Sequence, residues 1–434
     1  MKEQSMQLVS SHPFGAGGLT ARMFRLANGL KVILVRDPSA PVFAYQTWFA
    51  VGSRHEREGI TGIAHLFEHL MFNQTEHHPP GELDRLIETA GGDTNAATWV
   101  DWTYYRDNLP KAELRLCVEL EADRMAHLTL GETQVESERE VVANERRFRV
   151  EDDVDGFLNE ELYKAAFTTH PYHWPTIGWM RDIEAISIDD CRTFYRTYYA
   201  PNNATVVLVG DVDEEGALKL MEDCYGKIPS SQIPPDRATP EPEQTSERRL
   251  SWPKPVTADK LRIGYKAPAI GHADYTVLEV ANEILFGGNS SRLHRRLVVE
   301  TEVASSAHAS SAPFRDPGLY EISVGVQRGH SAAEAEAIVY EELARLGTQP
   351  LAPHELDTAK TRLLTHFWRE LRPQAGKAEA LGHYETTVGD YRKLFAVADG
   401  YKGVTASDVE RVVRAYLVPE RRTVAIATPS EKRS

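Results

Sequence analysis

The chain has 434 residues, 41% hydrophobic and 26% charged, with a formal net charge of −15 at pH 7. That length is more than one ordinary core organises, so two domains or a tandem repeat are expected. The acidic balance argues against nucleic-acid binding and against a basic membrane-surface patch, and the three cysteines, Cys117, Cys191 and Cys224, make no disulfide framework or cysteine-rich metal site. No apolar run is long enough to span a bilayer and the first residues lack a signal-peptide core, so a cytoplasmic location is expected, or a periplasmic one for a chain that has lost its signal.

In chain order, residues 23–37 alternate apolar and polar on both sides of Asn28-Gly29 and predict a hairpin with a type I′ turn. A strand is expected over 42–51, a helix over 61–73, and a second short helix over 82–90 that stops at Gly91-Gly92. Residues 93–108, rich in Thr, Trp and Tyr, read as strand; 111–128, 132–149 and 189–199 read as helices, and "ATVVLV" (204–209) as a buried strand. Residues 228–245 hold five prolines and predict an extended linker. Beyond it the pattern returns: strands over 261–265, 304–311 and 319–326, and helices over 275–285, 331–346, 354–370 and 377–387. "YYAPNNATVVLV" closes the first half and "AYLVPERRTVAIA" the second. The expected architecture is α+β: two tandem homologous domains, 1–227 and 246–434, each an antiparallel-rich sheet packed with helices, joined by the linker and arranged like a clamshell.

Residues i, i+3 and i+4 share a helix face, so His65, Glu68 and His69 of "AHLFEHL" point the same way. Two imidazoles from one helix can bind one Zn²⁺ and leave positions open, and Glu68 is placed to take a proton from a zinc-bound water. A third ligand is needed. On the helix over 132–149, Val135, Glu138, Val142 and Glu145 form a single stripe. Carboxylates among valines that should be buried need a cation or hydrogen-bonding partners. Zinc would satisfy one of Glu138 and Glu145 and a supporting role the other; the pattern alone leaves that choice open.

His65-Leu-Phe-Glu68-His69 is the inverted zinc motif H-x-x-E-H. Together with Glu138-Arg-Glu-Val-Val-Ala-Asn-Glu145 it resembles the M16 (pitrilysin-like, inverzincin) metallopeptidases, and the chain length resembles the M16B subgroup that includes mitochondrial processing peptidases. The resemblance implies Glu145, 76 positions after His69, as third ligand and Glu138 as a supporting catalytic carboxylate. "GGDTNAATWVDWTYY" (91–105) is similar to the family segment whose Asn and edge strand hold substrate, which implies a substrate role for Asn95, Ala96 and Ala97 through backbone pairing. "HPYHWPTIGWMRDI" and "YYAPNNATVVLVGD" are also similar to the family.

"GGNSSRLHRRLVVETEVASSAHA" (287–309) resembles the segment that supplies an Arg and a Tyr in active members, but those positions fall on Val298 and Ser305. Losing one oxyanion donor typically costs about 10²–10³ in rate. The resemblance therefore implies a zinc endopeptidase subunit that hydrolyses unfolded peptides, with a homologous partner supplying the Arg–Tyr pair in a heterodimer. Two alternatives stand beside it: a non-catalytic assembly or binding subunit, and a self-sufficient homodimeric processing peptidase that draws its Tyr from elsewhere, for example Tyr320 in another register.

Overall fold

A computed structural model describes residues 6–14, 18–236 and 238–430. The chain divides into two compact units, Met1–Glu145 with Pro175–Ala238 and Arg369–Phe395, and Arg146–Trp174 with Thr239–Trp368 and Ala396–Ser434.

The first unit is built on seven strands: β1 (Met6–Phe14), β2 (Leu19–Leu26), β3 (Lys31–Arg36), β4 (Val42–Phe49), β5 (Asp93–Thr98), β6 (Thr103–Pro110) and β7 (Ala204–Gly210). They lie in the order β1-β2-β3-β7-β4-β6-β5, antiparallel throughout except for β3 beside β7. Helices α1 (Ile63–Leu70), α2 (Glu82–Thr89), α3 (Leu114–His127) and α4 (Glu132–Arg146) belong to the same unit, apart from the last residue of α4. Leu66, Phe67 and Leu70 of α1, Val118 of α3 and Val135 and Val142 of α4 join Val206 and Leu208 of β7 in one buried core.

Every residue of β7 is buried. A central strand closed on both faces reads as a continuous apolar run, which is how "ATVVLV" reads. Its second face is covered by the helix Gln374–His383, which packs on β4 and β7. There the buried Gln46 side chain donates to the Ala375 carbonyl at 3.2 Å.

The second unit contains β8 (Arg248–Lys254), β9 (Lys260–Lys266), β10 (Ala304–Ser311), β11 (Leu319–Val326) and β12 (Arg422–Pro429), ordered β10-β11-β9-β12-β8. All neighbours are antiparallel except β12 with β8. This order and sense reproduce β5-β6-β4-β7-β3 of the first sheet strand for strand. Pro201–Asn203 and Pro419–Arg421 form matching 3₁₀ turns before β7 and β12. The tandem repeat thus extends to topology. The helix Val154–Ala166 packs on β9 and β12 as Gln374–His383 packs on β4 and β7.

The sequence predicts a contiguous division around 228–245, whereas the units exchange two segments, 146–174 and 369–395. Both segments carry the helix that covers the second face of a central strand, a requirement invisible in local composition. Residues 229–236 and 238–245 of the proline-rich stretch carry no helix or strand.

The hairpin at Asn28-Gly29 forms with a different turn. Among the described non-glycine residues only Glu302 has a positive φ, so Asn28 cannot occupy a type I′ turn. Gly29 N–H donates to Leu26 O at 3.0 Å, Leu26 N–H to Leu30 O at 2.9 Å, and Gly29 has φ 94°. This is the three-residue loop with a left-handed glycine. Asn28 is instead drawn into the tertiary structure, donating to the carbonyls of Tyr225 and Ile228. The expected strand over 93–108 is interrupted at 99–102, which turns β5 back on β6. Among the described residues no helix is long and apolar enough to cross a membrane.

Candidate metal centre

Helix α1 starts at Gly62, with φ 91°. A Cβ there would lie 2.5 Å from the Ile177 carbonyl oxygen, so only glycine allows this approach. Gly62 and Ala64 N–H donate to the buried Glu56 carboxyl at 2.9 and 2.8 Å. An acidic group at a helix N-terminus satisfies donors that the helix cannot. Burial nonetheless raises the Glu56 pKa to about 8, against those two hydrogen bonds. Tyr105 donates to the Phe67 carbonyl at 3.1 Å and ties α1 to β6. Phe67 lies 5.4 Å from Phe194 between ring centroids.

With its apolar face so held, α1 turns His65, Glu68 and His69 toward α4. Glu145 Oε2 lies 3.5 Å from His65 Nε2 and 3.5 Å from His69 Nε2. The three donor atoms all lie within 4.8 Å of one another. Ligands about 2.0–2.1 Å from a tetrahedral zinc are about 3.4 Å apart. The spacing and the chemistry of this donor set therefore fit zinc with one position left open.

Glu138 sits on the other side of the His69 ring, with Oε2 3.6 Å from Nδ1. A carboxylate at the far nitrogen orients a ligating imidazole and makes it more basic. Asn73 Nδ2 donates to Glu138 Oε1 at 3.1 Å. The stripe expected on this helix is present, with Val135 and Val142 buried and the two carboxylates half-buried.

Burial pushes His69 toward its neutral form, but Glu138 and Glu145 outweigh it and carry the pKa of the metal-free ring to about 9. The same contact with His69 holds Glu138 below the usual carboxylate range, with burial opposing and Asn73 assisting. Burial pushes the Glu68 carboxyl up; hydrogen bonds from Thr98 and the charge on His69 pull it back, while Glu145 adds to the rise. A carboxylate poised above its ordinary range is suited to accept and return a proton near neutral pH.

Asn95, Ala96 and Ala97 lie on β5, the strand at the edge of the first sheet, paired on one side with Arg106, Tyr105 and Tyr104 of β6. The Ala96 N–H is capped by its neighbour's Asn95 Oδ1 at 2.8 Å. Thr98, which contacts Glu68, ends this strand. The sequence reading missed Glu56, Asn73 and Thr98. None sits in a recognisable motif, since each acts through a contact with an element distant in sequence or across a turn.

The second repeat lacks this chemistry. The helix Ala273–Phe286, which follows β9 as α1 follows β4, carries no histidine. Val298 packs against the second core, and Ser305, exposed on β10, donates to the Gly325 carbonyl at 3.1 Å. The nearby arginines are engaged within their own unit: Arg292 with Glu355 and Glu342, Arg296 with Glu341 and Glu342, Arg295 with Glu300. Tyr320 does not serve as a surface hydroxyl in another register. Its ring is fully buried in the second core and its hydroxyl donates to Asn282 Oδ1 at 3.0 Å.

Residues 31–178 match the family model described as Insulinase (Peptidase family M16), and residues 185–363 match the one described as Peptidase M16 inactive domain. The chain is 31% identical over 411 residues to the zinc protease PqqE of Helicobacter pylori, covering 93% of this chain and 92% of that protein. It is 26% identical to the beta subunit of the mitochondrial-processing peptidase of Blastocladiella emersonii, covering 94% and 88%. The crystal structure of a protease from Helicobacter pylori matches with a TM-score of 0.91 at 30% identity, covering 94% of this chain and 99% of that one. Fold and donor set are those expected of a metallopeptidase family. The chain belongs to peptidase family M16.

Proposed function

We propose that this chain is a zinc-dependent endopeptidase subunit of the M16B type. The observation that carries the reading is the placement of His65 Nε2 and His69 Nε2 each 3.5 Å from Glu145 Oε2, with Glu68 on the same helix face. His65, His69 and Glu145 would hold the ion, and Glu138 would steady His69 from its far nitrogen. Zinc bound there would supply Lewis acidity, polarising a peptide carbonyl and making water nucleophilic near neutral pH. Glu68 takes a proton from the attacking water and returns it to the departing amine. Thr98 orients the Glu68 carboxylate through its side chain and backbone. Asn95, Ala96 and Ala97 present an edge strand to which an extended, unfolded peptide adds by backbone pairing. The Asn95 side chain would then have to release the Ala96 N–H.

A partner reading rests on the second repeat. Neither Val298 nor Ser305 offers a donor long enough to reach a developing oxyanion, and the neighbouring arginines are already paired. A homologous subunit would bring the Arg–Tyr pair, as the designation of the Blastocladiella relative as a beta subunit suggests. Glu68→Gln should keep zinc and lose peptide hydrolysis, and Glu145→Ala should lose zinc. Equal activity of wild type and Glu68→Gln would remove the enzyme reading in favour of an assembly subunit. Full-speed cleavage by the zinc-loaded chain alone would remove the partner and favour a self-sufficient homodimer.

A further inference from the structure

A second group of metal-ligating side chains lies in the first unit, on residues that neither the motif nor the proposed chemistry uses. Asp123 and His127 are four residues apart on the last turn of α3 and face the same way. His77 is brought to them by the turn after α1. Thr75 Oγ1 accepts the His77 and His78 N–H groups at 3.2 and 3.0 Å and donates to Asp123 Oδ2 at 2.5 Å. Glu76 N–H donates to the His127 carbonyl at 2.9 Å, and Thr75 bridges to Leu128. The backbone is therefore tied down on both sides of His77.

His77 Nδ1 lies 2.5 Å from Asp123 Oδ1, and the His77 and His127 ring centroids are 4.8 Å apart at 83°. One donor atom from each of His77, Asp123 and His127 falls within 4.8 Å of the others. Glu76 Oε2 is 3.6 Å from His127 Nδ1, close enough to supply a fourth ligand. The Asp123 side chain is 12% exposed, whereas those of His77 and His127 are 58% and 42% exposed, so the group has an anchored floor and a mouth open to water. Asp123 and His127 also line a cavity of about 490 Å³ beside it.

We propose that His77, Asp123 and His127, completed by Glu76 or water, form a second site for a divalent transition metal, with zinc the first choice. Two imidazoles and a carboxylate suit zinc, nickel or copper; calcium and magnesium demand more oxygen ligands than this group offers. A cation would take the place of the His77–Asp123 hydrogen bond, and the exposed His77 ring has room to draw back to ligand spacing. The ion would staple the turn after α1 to the end of α3. The same turn carries Asn73, which donates to Glu138, so the staple would steady a contact of the first site.

The test is zinc content of the full-length chain, loaded and freed of loose metal by gel filtration, with a melting curve for each variant. Wild type should hold about two equivalents per chain, and the His77→Ala/His127→Ala double variant about one. The His65→Ala/His69→Ala double variant should also keep about one, which loss of all four histidines removes. Measured from each protein's own metal-free melting temperature, zinc should raise that of His77→Ala/His127→Ala less than it raises that of wild type. Equal zinc content in wild type and His77→Ala/His127→Ala overturns the proposal. So does the absence of bound zinc from His65→Ala/His69→Ala, a result that leaves the first site standing. Retention of both equivalents by His65→Ala/His69→Ala would refute the first site instead.

Discussion

Zinc binding at the first site should be driven by pH in a way the metal-free geometry specifies. His69 stands between Glu138 and Glu145, and these carboxylates carry its pKa to about 9 despite burial. Zinc held at Nε2 would take the place of the proton that the Glu145 carboxylate stabilises there, so binding at neutral pH should release a proton. A group titrating at about 9 is almost wholly protonated at pH 7. Apparent zinc affinity should therefore climb about tenfold per pH unit and level off near pH 9, a gain of about 100-fold or ~2.7 kcal/mol from pH 7. Competition against a chelator of known pH dependence measures the slope. Calorimetry in buffers of different ionisation enthalpy counts the proton. Glu138→Gln provides the control, because it removes the largest contribution that raises His69. The level-off should move to lower pH, while the limiting affinity at high pH falls about 10–100-fold as the supporting carboxylate is lost. A flat affinity between pH 7 and 8.5, with no proton released, would refute the reasoning. In the metal-free protein the sign is that of any raised histidine. Its stabilising contribution is complete below the unfolded pKa near 6.5 and is lost as pH rises through about 9.

Further outcomes follow from contacts around α1. Glu56→Ala strips the acceptor from Gly62 and Ala64 N–H and should cost about 1–2 kcal/mol in urea unfolding of the metal-free chain; an unchanged midpoint would mean the cap contributes nothing. Gly62→Ala imposes a positive φ on a residue with a Cβ and drives that Cβ against the Ile177 carbonyl, so a loss of at least about 2 kcal/mol is expected, and a neutral effect would contradict the described turn. Thr98→Val removes a hydrogen bond that lowers the Glu68 pKa, so the acid limb of kcat/KM should move to higher pH with zinc content unchanged; an unmoved limb would exclude Glu68 as the titrating base.

The helix-borne part of the site was legible because its geometry is local. The spacing of His65, Glu68 and His69 places them on one face of any helix, whatever surrounds it. The buried apolar run of β7 and the matching Pro-containing turns before β7 and β12 were legible for the same reason. The turn at Asn28-Gly29 shows the limit: the dipeptide signals a hairpin, but Asn28 spends its side chain on the carbonyls of Tyr225 and Ile228, about two hundred residues away. The edge position of β5 was an inference from resemblance, since strand order depends on which neighbours the whole sheet admits.

Sequence alone determined the α+β class, the repeat, and a carboxylate stripe on α4 in need of partners. It left open whether Glu138 or Glu145 meets the histidine Nε2 atoms, because the two share a helix face and differ only in distance along it. That distance is set by how α4 lies across α1, which the packed core decides. Packing puts Glu145 at the Nε2 atoms and Glu138 at Nδ1 of His69. The second core takes Tyr320 out of use as a surface hydroxyl by burying its ring. Helical periodicity is written residue by residue, whereas the approach of two helices is written only in everything they pack against.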